Sequence, residues 1–197
     1  MKVIFLDIDG VLNSQDWYVY RRDNVEMDSV SAQYPFYEFD PRAVERLNRL
    51  IEVTGAKLVI SSSWRSGETV ETLQGLMDRV GVKGEVIGLT PHLWCRKPYE
   101  DMEGYRIPRG CEIDWWLDNH GDFQRINWSK EEQLKYMNKA KVKNYIIIDD
   151  DSDMLYGQRE HFIHTSHNHG LTDELVEKAI SILNADLPAL YYNDEEE

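Results

Sequence analysis

The sequence predicts an α/β fold with a mainly parallel sheet covered by helices on both faces, and three observations carry that prediction. Short, continuously apolar runs (Val3 to Leu6, Leu58 to Ile60, Ile146 to Ile148) read as strands buried on both sides. Segments with apolar residues at helical spacing lie between them. The two kinds alternate along the chain, the pattern of strands joined by helical crossovers.

The elements follow in order. Residues 2 to 8 read as a strand. A polar and aromatic stretch from Asn13 to Phe39 comes next, with Trp17, Tyr18, Tyr20, Tyr34, Phe36 and Tyr37, and is too long for a tight crossover. Without clear periodicity but rich in aromatics, it reads as a lid packed near a site, a small insertion over residues 14–39 with no large cap domain. Asp40 is a candidate N-cap with Pro41 at the first helical position; Val44, Leu47, Leu50 and Ile51 form the inner stripe, and Gly55 ends the helix. A strand runs from Lys57 through Ile60 into Ser61, Ser62 and Ser63. A helix over Glu68 to Val80 turns Val70, Leu73, Leu76 and Met77 inward, and a strand follows around Glu85 to Leu89.

Between residues 90 and 128 only Glu112 to Asp118 has helical character, with Ile113, Trp116 and Leu117 on one side. Ser129 with Glu132 resembles a capping box for a helix to about Ala140, inside a helical insertion over residues 119–142. Asn144 to Ile148 is an apolar strand entering Asp149, Asp150 and Asp151. His161 to Thr165 is a candidate short strand, and a last helix starts near Thr172 and runs to about Leu183. One domain over residues 1–192 is expected, with Asn193 to Glu197 as a solvated acidic tail.

Composition narrows the function. A chain of 197 residues with 42% hydrophobic content supports one sizeable core. The net charge of −14 repels a nucleic-acid backbone at long range, so a polynucleotide substrate needs a local basic pocket. Small phosphorylated substrates remain compatible. Cys95 and Cys111 form no CxxC spacing, which argues against a disulfide framework or zinc site and suits a reducing, cytoplasmic setting. No apolar segment approaches the roughly 18 residues of a membrane span, so no membrane partner is expected.

The chemistry lies at the ends of the apolar runs. Residues two apart in an extended segment share a face, so the carboxylates of Asp7 and Asp9 can converge, with Gly10 permitting a sharp exit. Asp7 suits in-line attack on phosphorus and Asp9 suits protonating the leaving oxygen and later deprotonating water. A hard cation needs further oxygen ligands, which Asp149 and Asp150 supply. Asp151 and Asp153 add negative charge that would repel itself without a metal. Ser61, with Ser62 beside it, can donate to phosphate oxygens. Arg65, Arg109 and Lys97 are the candidates for balancing phosphoryl charge. His161, His164, His167 and His169 lack compact ligand spacing and read as strand and loop residues rather than a second metal site.

Three segments carry a family resemblance: Asp7-Ile8-Asp9-Gly10-Val11-Leu12-Asn13, Ser61-Ser62-Ser63-Trp64-Arg65 and Asp149-Asp150-Asp151-Ser152-Asp153-Met154 resemble the haloacid dehalogenase (HAD) superfamily. Its branch called the HAD domain of Swiss Army Knife RNA repair proteins is the most similar. The resemblance implies a Rossmann-like sheet, Asp7 as nucleophile, Asp9 as acid/base, Ser61 on phosphate, and Mg2+ held by Asp7, the Asp9 carbonyl and Asp150 with Asp149 assisting. It favours Arg109 as the basic residue, because Gly110 and a helix follow it. The 119–142 insertion departs from the family pattern and keeps Lys97 as the alternative.

The function expected is a magnesium-dependent phosphomonoesterase acting through an aspartyl-phosphate on a nucleotide or a nucleic-acid terminal phosphate. A kinase or ligase partner in repair is compatible with that reading. The alternatives are a free mononucleotide phosphatase with a base-binding lid, and a non-catalytic HAD-like module that binds a nucleotide or protein. Substrate polarity (3′ or 5′) and oligomeric state are not readable from the sequence.

Overall fold

Five strands form one parallel sheet in the order β3-β2-β1-β4-β5, where β1 is Lys2–Leu6, β2 Lys57–Ile60, β3 Val86–Leu89, β4 Asn144–Asp149 and β5 Phe162–His164. The computed structural model describes residues 1–24, 39–93, 107–120 and 142–185. Cys95, Lys97, Tyr34, Phe36, Tyr37, the helix expected from Ser129 to Ala140 and the acidic tail lie outside those residues. From β1 the chain builds outward through β2 and β3, then crosses back to β4 and β5 on the other side. The strand order therefore reverses beside β1, where sheets of this kind bind ligands beyond the carboxyl ends of their strands.

The alternation of side chains along β1 divides the core in two. Ile4 and Leu6, with Leu58, Ile60, Ile146 and Ile148, pack against α2 (Pro41–Thr54), α3 (Val70–Val80) and α5 (Asp173–Asn184). Val3, Phe5, Val59 and Ile147 face the other way, against Ile113, Trp116 and Leu117 of α4 (Arg109–His120). Both faces of the sheet are thus covered by helices, which is why its strands are apolar without alternation. Among the described residues no helix is long and apolar enough to cross a membrane.

Helix boundaries follow their caps. Asp40 accepts the Arg42 amide at 2.9 Å, Pro41 opens α2, and Gly55 closes it in the left-handed conformation. Thr69 caps α3, exchanging hydrogen bonds with Thr72, so the helix starts at Val70, two residues after the expected Glu68. Thr172 caps α5, whose start was expected near that residue.

The stretch after Asn13, expected as an irregular lid, opens with a helix, α1 (Gln15–Asn24). The Ser14 hydroxyl accepts the Trp17 amide at 3.2 Å, and the Gln15 and Asp16 amides donate to the His167 and Asn168 carbonyls, each at 3.0 Å. No α1 side chain is fully buried. A helix with no buried face leaves no apolar stripe in the sequence, and so periodicity missed it.

Candidate active site

Strand pairing brings the three acidic and serine segments together. Leu6 lies opposite Ile148 on one side and Ile60 on the other, so the next residues, Asp7, Asp149 and Ser61, emerge side by side from β1, β4 and β2. Two bonds extend the ladder there: the Asp7 amide donates to Ile148 O at 3.0 Å, and the Ser61 amide to Leu6 O at 2.8 Å. Carboxylate oxygens of Asp7, Asp149 and Asp150 fall within 4.8 Å of one another.

The turn after β1 is shaped to admit Asp150. Gly10 has φ +68°, and a Cβ there would fall inside the Asp150 carboxyl group and 2.8 Å from its Cβ. Asn13 pins the turn from within: its amide oxygen accepts the Gly10 N–H at 2.9 Å and its Nδ2 donates to Asp9 Oδ1 at 2.8 Å. Thr165, just past β5, donates its hydroxyl to Gly10 O at 2.9 Å.

Burial sets the electrostatics. Asp7 is pushed up from 3.8 to about 6, chiefly by desolvation; a hydrogen bond from Ser62 and the charge of Arg109 oppose the shift. Asp149 rises from 3.8 to about 8, again by burial first and then by the charge of Asp7. Its Oδ1 accepts the Asp151 amide at 2.9 Å. Its Oδ2 is buried without a hydrogen-bond partner, with Arg109 Nε 4.0 Å away.

A buried acceptor left without a donor among three clustered carboxylates is what a cation site presents when its ion is not counted. Oxygens on opposite sides of a magnesium ion stand about 4.2 Å apart. A cluster spanning 4.8 Å therefore fits a hard divalent cation with small side-chain adjustments.

The basic candidates divide. Arg109 is buried at the first position of α4; its guanidinium donates to Ser61 O, and its charge acts on both Asp7 and Asp149. Gly110 allows that placement, because a Cβ there would stand 2.9 Å from the Cα of Met154 in the loop after β4. Arg65 is also buried, but each nitrogen of its guanidinium already donates to protein. Nε reaches Thr90 O at 2.8 Å, Nη1 reaches Ser62 O at 2.6 Å, and Nη2 serves Pro91 O and the Glu112 carboxylate. The position that the sequence offered as nearest to phosphate instead ties β2 and β3 to α4.

Ser61 is buried, with its hydroxyl 3.5 Å from that of Thr90. Ser62 caps the short turn Ser63–Arg65, and its hydroxyl counters the upward shift of the Asp7 pKa. His167 Nδ1 lies 3.1 Å from Asp150 Oδ2 and His164 Nε2 lies 2.9 Å from Asp150 O, so two of the histidines border the acids. Sequence reasoning gave no role to Asn13 or Trp64. Trp64 Nε1 donates to Asp9 Oδ2 at 2.9 Å. The only signal for either residue was membership of the quoted segments.

A parallel Rossmann-like sheet with acids at the ends of β1 and β4 and serines at the end of β2 defines a HAD-type α/β domain. The chain belongs to the family described as the HAD domain in Swiss Army Knife RNA repair proteins, whose model matches residues 3–176. No curated protein and no solved structure matches it. Membership carries a phosphatase-type function.

Proposed function

We propose that the protein is a magnesium-dependent phosphomonoesterase that works through an aspartyl-phosphate on Asp7, with a nucleotide or a nucleic-acid terminal phosphate as substrate. The observation that carries this reading is the convergence of Asp7, Asp149 and Asp150 beside Ser61, Ser62 and Arg109. Those three aspartates would hold the cation, with the Asp9 carbonyl as a further ligand. Once bound, magnesium offsets the charge of the carboxylates and of the phosphate oxygens.

The residues then divide the work. An Asp7 oxygen bonds to phosphorus as the ester bond breaks, and the Asp9 proton passes to the departing oxygen. In the second half, Asp9 takes a proton from water, the water oxygen displaces Asp7 from phosphorus, and inorganic phosphate leaves. Arg109 and the Ser61 hydroxyl serve the phosphate oxygens, and Ser62 orients Asp7. Arg65 holds the Ser62 turn in place rather than touching phosphate, because each nitrogen of its guanidinium already donates to protein.

The family's description as part of RNA repair proteins favours a polynucleotide end, for which a kinase or ligase would be a natural companion. The net charge of −14 and the stacked pair Trp17 and Tyr20 on α1, centroids 5.8 Å apart, favour the second reading, a free mononucleotide. A phosphate-release screen with and without magnesium separates them. Mononucleotides, oligonucleotides phosphorylated at either end, and sugar phosphates are the panel. Release from oligonucleotide ends supports the first reading, and release from mononucleotides alone supports the second. No release from any member contradicts both and leaves a binding module.

A further inference from the structure

Asp9 is held at both oxygens by neutral donors. Asn13 Nδ2 reaches Oδ1 at 2.8 Å and Trp64 Nε1 reaches Oδ2 at 2.9 Å. Neither donor is free to turn away. The Asn13 amide oxygen is committed to the Gly10 N–H at 2.9 Å, which forces its NH2 toward Asp9, and the Asn13 side chain is buried. Trp64 packs edge to face on Phe39, centroids 5.5 Å apart at 77°, while its amide donates to Ser62 Oγ at 3.3 Å. Each carboxyl oxygen has two lone pairs and each gives one to a donor, which fixes the plane of the group and leaves one lone pair per oxygen for a proton.

We infer that Trp64 and Asn13 are positioning residues for proton transfer at Asp9: they set the carboxyl plane from which a proton reaches the leaving oxygen. The inference rests on the assignment of Asp9 as acid/base made above. General acid catalysis contributes about 10²–10⁴-fold where a positioned group protonates a poor leaving group, and far less where the leaving group departs as a stable anion. A clamp on the acid should therefore matter in proportion to the basicity of the leaving group, whereas a merely structural residue would affect all esters alike.

The test compares first-turnover release of the leaving group, by rapid mixing, from p-nitrophenyl phosphate and from an alkyl ester. The alkyl ester is adenosine 5′-monophosphate or a 3′-phosphorylated oligonucleotide, whichever turns over faster. First-turnover rates isolate ester cleavage from the later water step, in which Asp9 acts on every substrate. Trp64→Phe keeps the ring and removes the donor; Asn13→Asp keeps the acceptor for Gly10 and replaces the neutral donor with a carboxyl group. For each variant that retains its fold by circular dichroism, the loss on the alkyl ester should exceed that on the aryl ester by about tenfold. Equal losses on both esters, or no loss on either, would overturn the inference. Asp9→Asn is the reference: if it shows the split while Trp64→Phe and Asn13→Asp do not, only the clamp fails. If Asp9→Asn shows no split, the acid role fails and the clamp with it.

Discussion

The Cα of Gly10 lies against the carboxyl group of Asp150, so closely that any side chain at residue 10 would occupy the volume of that carboxylate. One residue on the β1 turn thus decides whether the acid just past β4 can enter the site. The positive φ of +68° at Gly10 adds a second reason for glycine there.

Gly10→Ala should therefore push Asp150 out of the cluster while leaving the core intact. Magnesium affinity, measured by titration calorimetry, should fall about 10–100-fold, the range seen when groups supporting a metal ligand are lost. Affinity equal to that of the parent chain would show that Asp150 does not contribute to the cation site.

Asp149 is the most strongly shifted acid of the cluster and carries the orphaned Oδ2. Asp149→Asn removes its charge at nearly constant shape. Without magnesium at pH 9 the variant should melt at a higher temperature than the parent. Its stabilisation by magnesium should vanish, against about 2.7 kcal/mol for an intact site at a hundredfold excess over Kd. A preserved magnesium-induced shift would remove Asp149 from the site.

The sign of the pH dependence follows from the same two acids. Both have folded values above the ordinary 3.8, Asp7 at about 6 and Asp149 at about 8. The folded chain without metal then holds more protons than the unfolded one, and this contribution to stability is complete below about pH 4 and lost as pH rises through 6 and 8. Thermal melts in chelator should show the midpoint falling from pH 5 to pH 9, and magnesium should reduce the fall. A midpoint that rises over that interval in chelator would contradict the burial assigned to these carboxylates.

Arg65 and Glu112 form a buried ion pair between the β2 turn and α4, and the same Glu112 accepts the Leu93 amide at 3.1 Å. Glu112→Ala leaves the guanidinium uncompensated, so urea denaturation should report a loss of about 3–5 kcal/mol. A loss below about 1 kcal/mol would mean that the pair is solvated as a surface bridge is.

Much of this architecture was legible because its signals are local. The apolar runs marked β1, β2 and β4, and Asp40 with Pro41 marked the start of α2. Asp7, Asp149, Asp150 and Ser61 were legible as a group, since acids and serines at the ends of buried strands must share one sheet edge. Arg65 was not. Its partner Glu112 lies far along the chain, and nothing local separates an arginine aimed at a ligand from one neutralised by a buried carboxylate. Trp64 and Asn13 escaped for the same reason, because an indole or amide reads as packing or turn chemistry until its acceptor is known. Helix α1 escaped because it buries no face.

The central claim is that Asp7 takes a phosphoryl group onto its own carboxylate, and acid-quench trapping tests it most directly. The protein would be mixed with magnesium and the best substrate from the screen, quenched in acid within the first turnover, and digested for mass spectrometry. The peptide containing Asp7 should carry the mass of one phosphoryl group, and Asp7→Asn should carry none. Magnesium-dependent phosphate release without that adduct, and undiminished in Asp7→Asn, would contradict the claim.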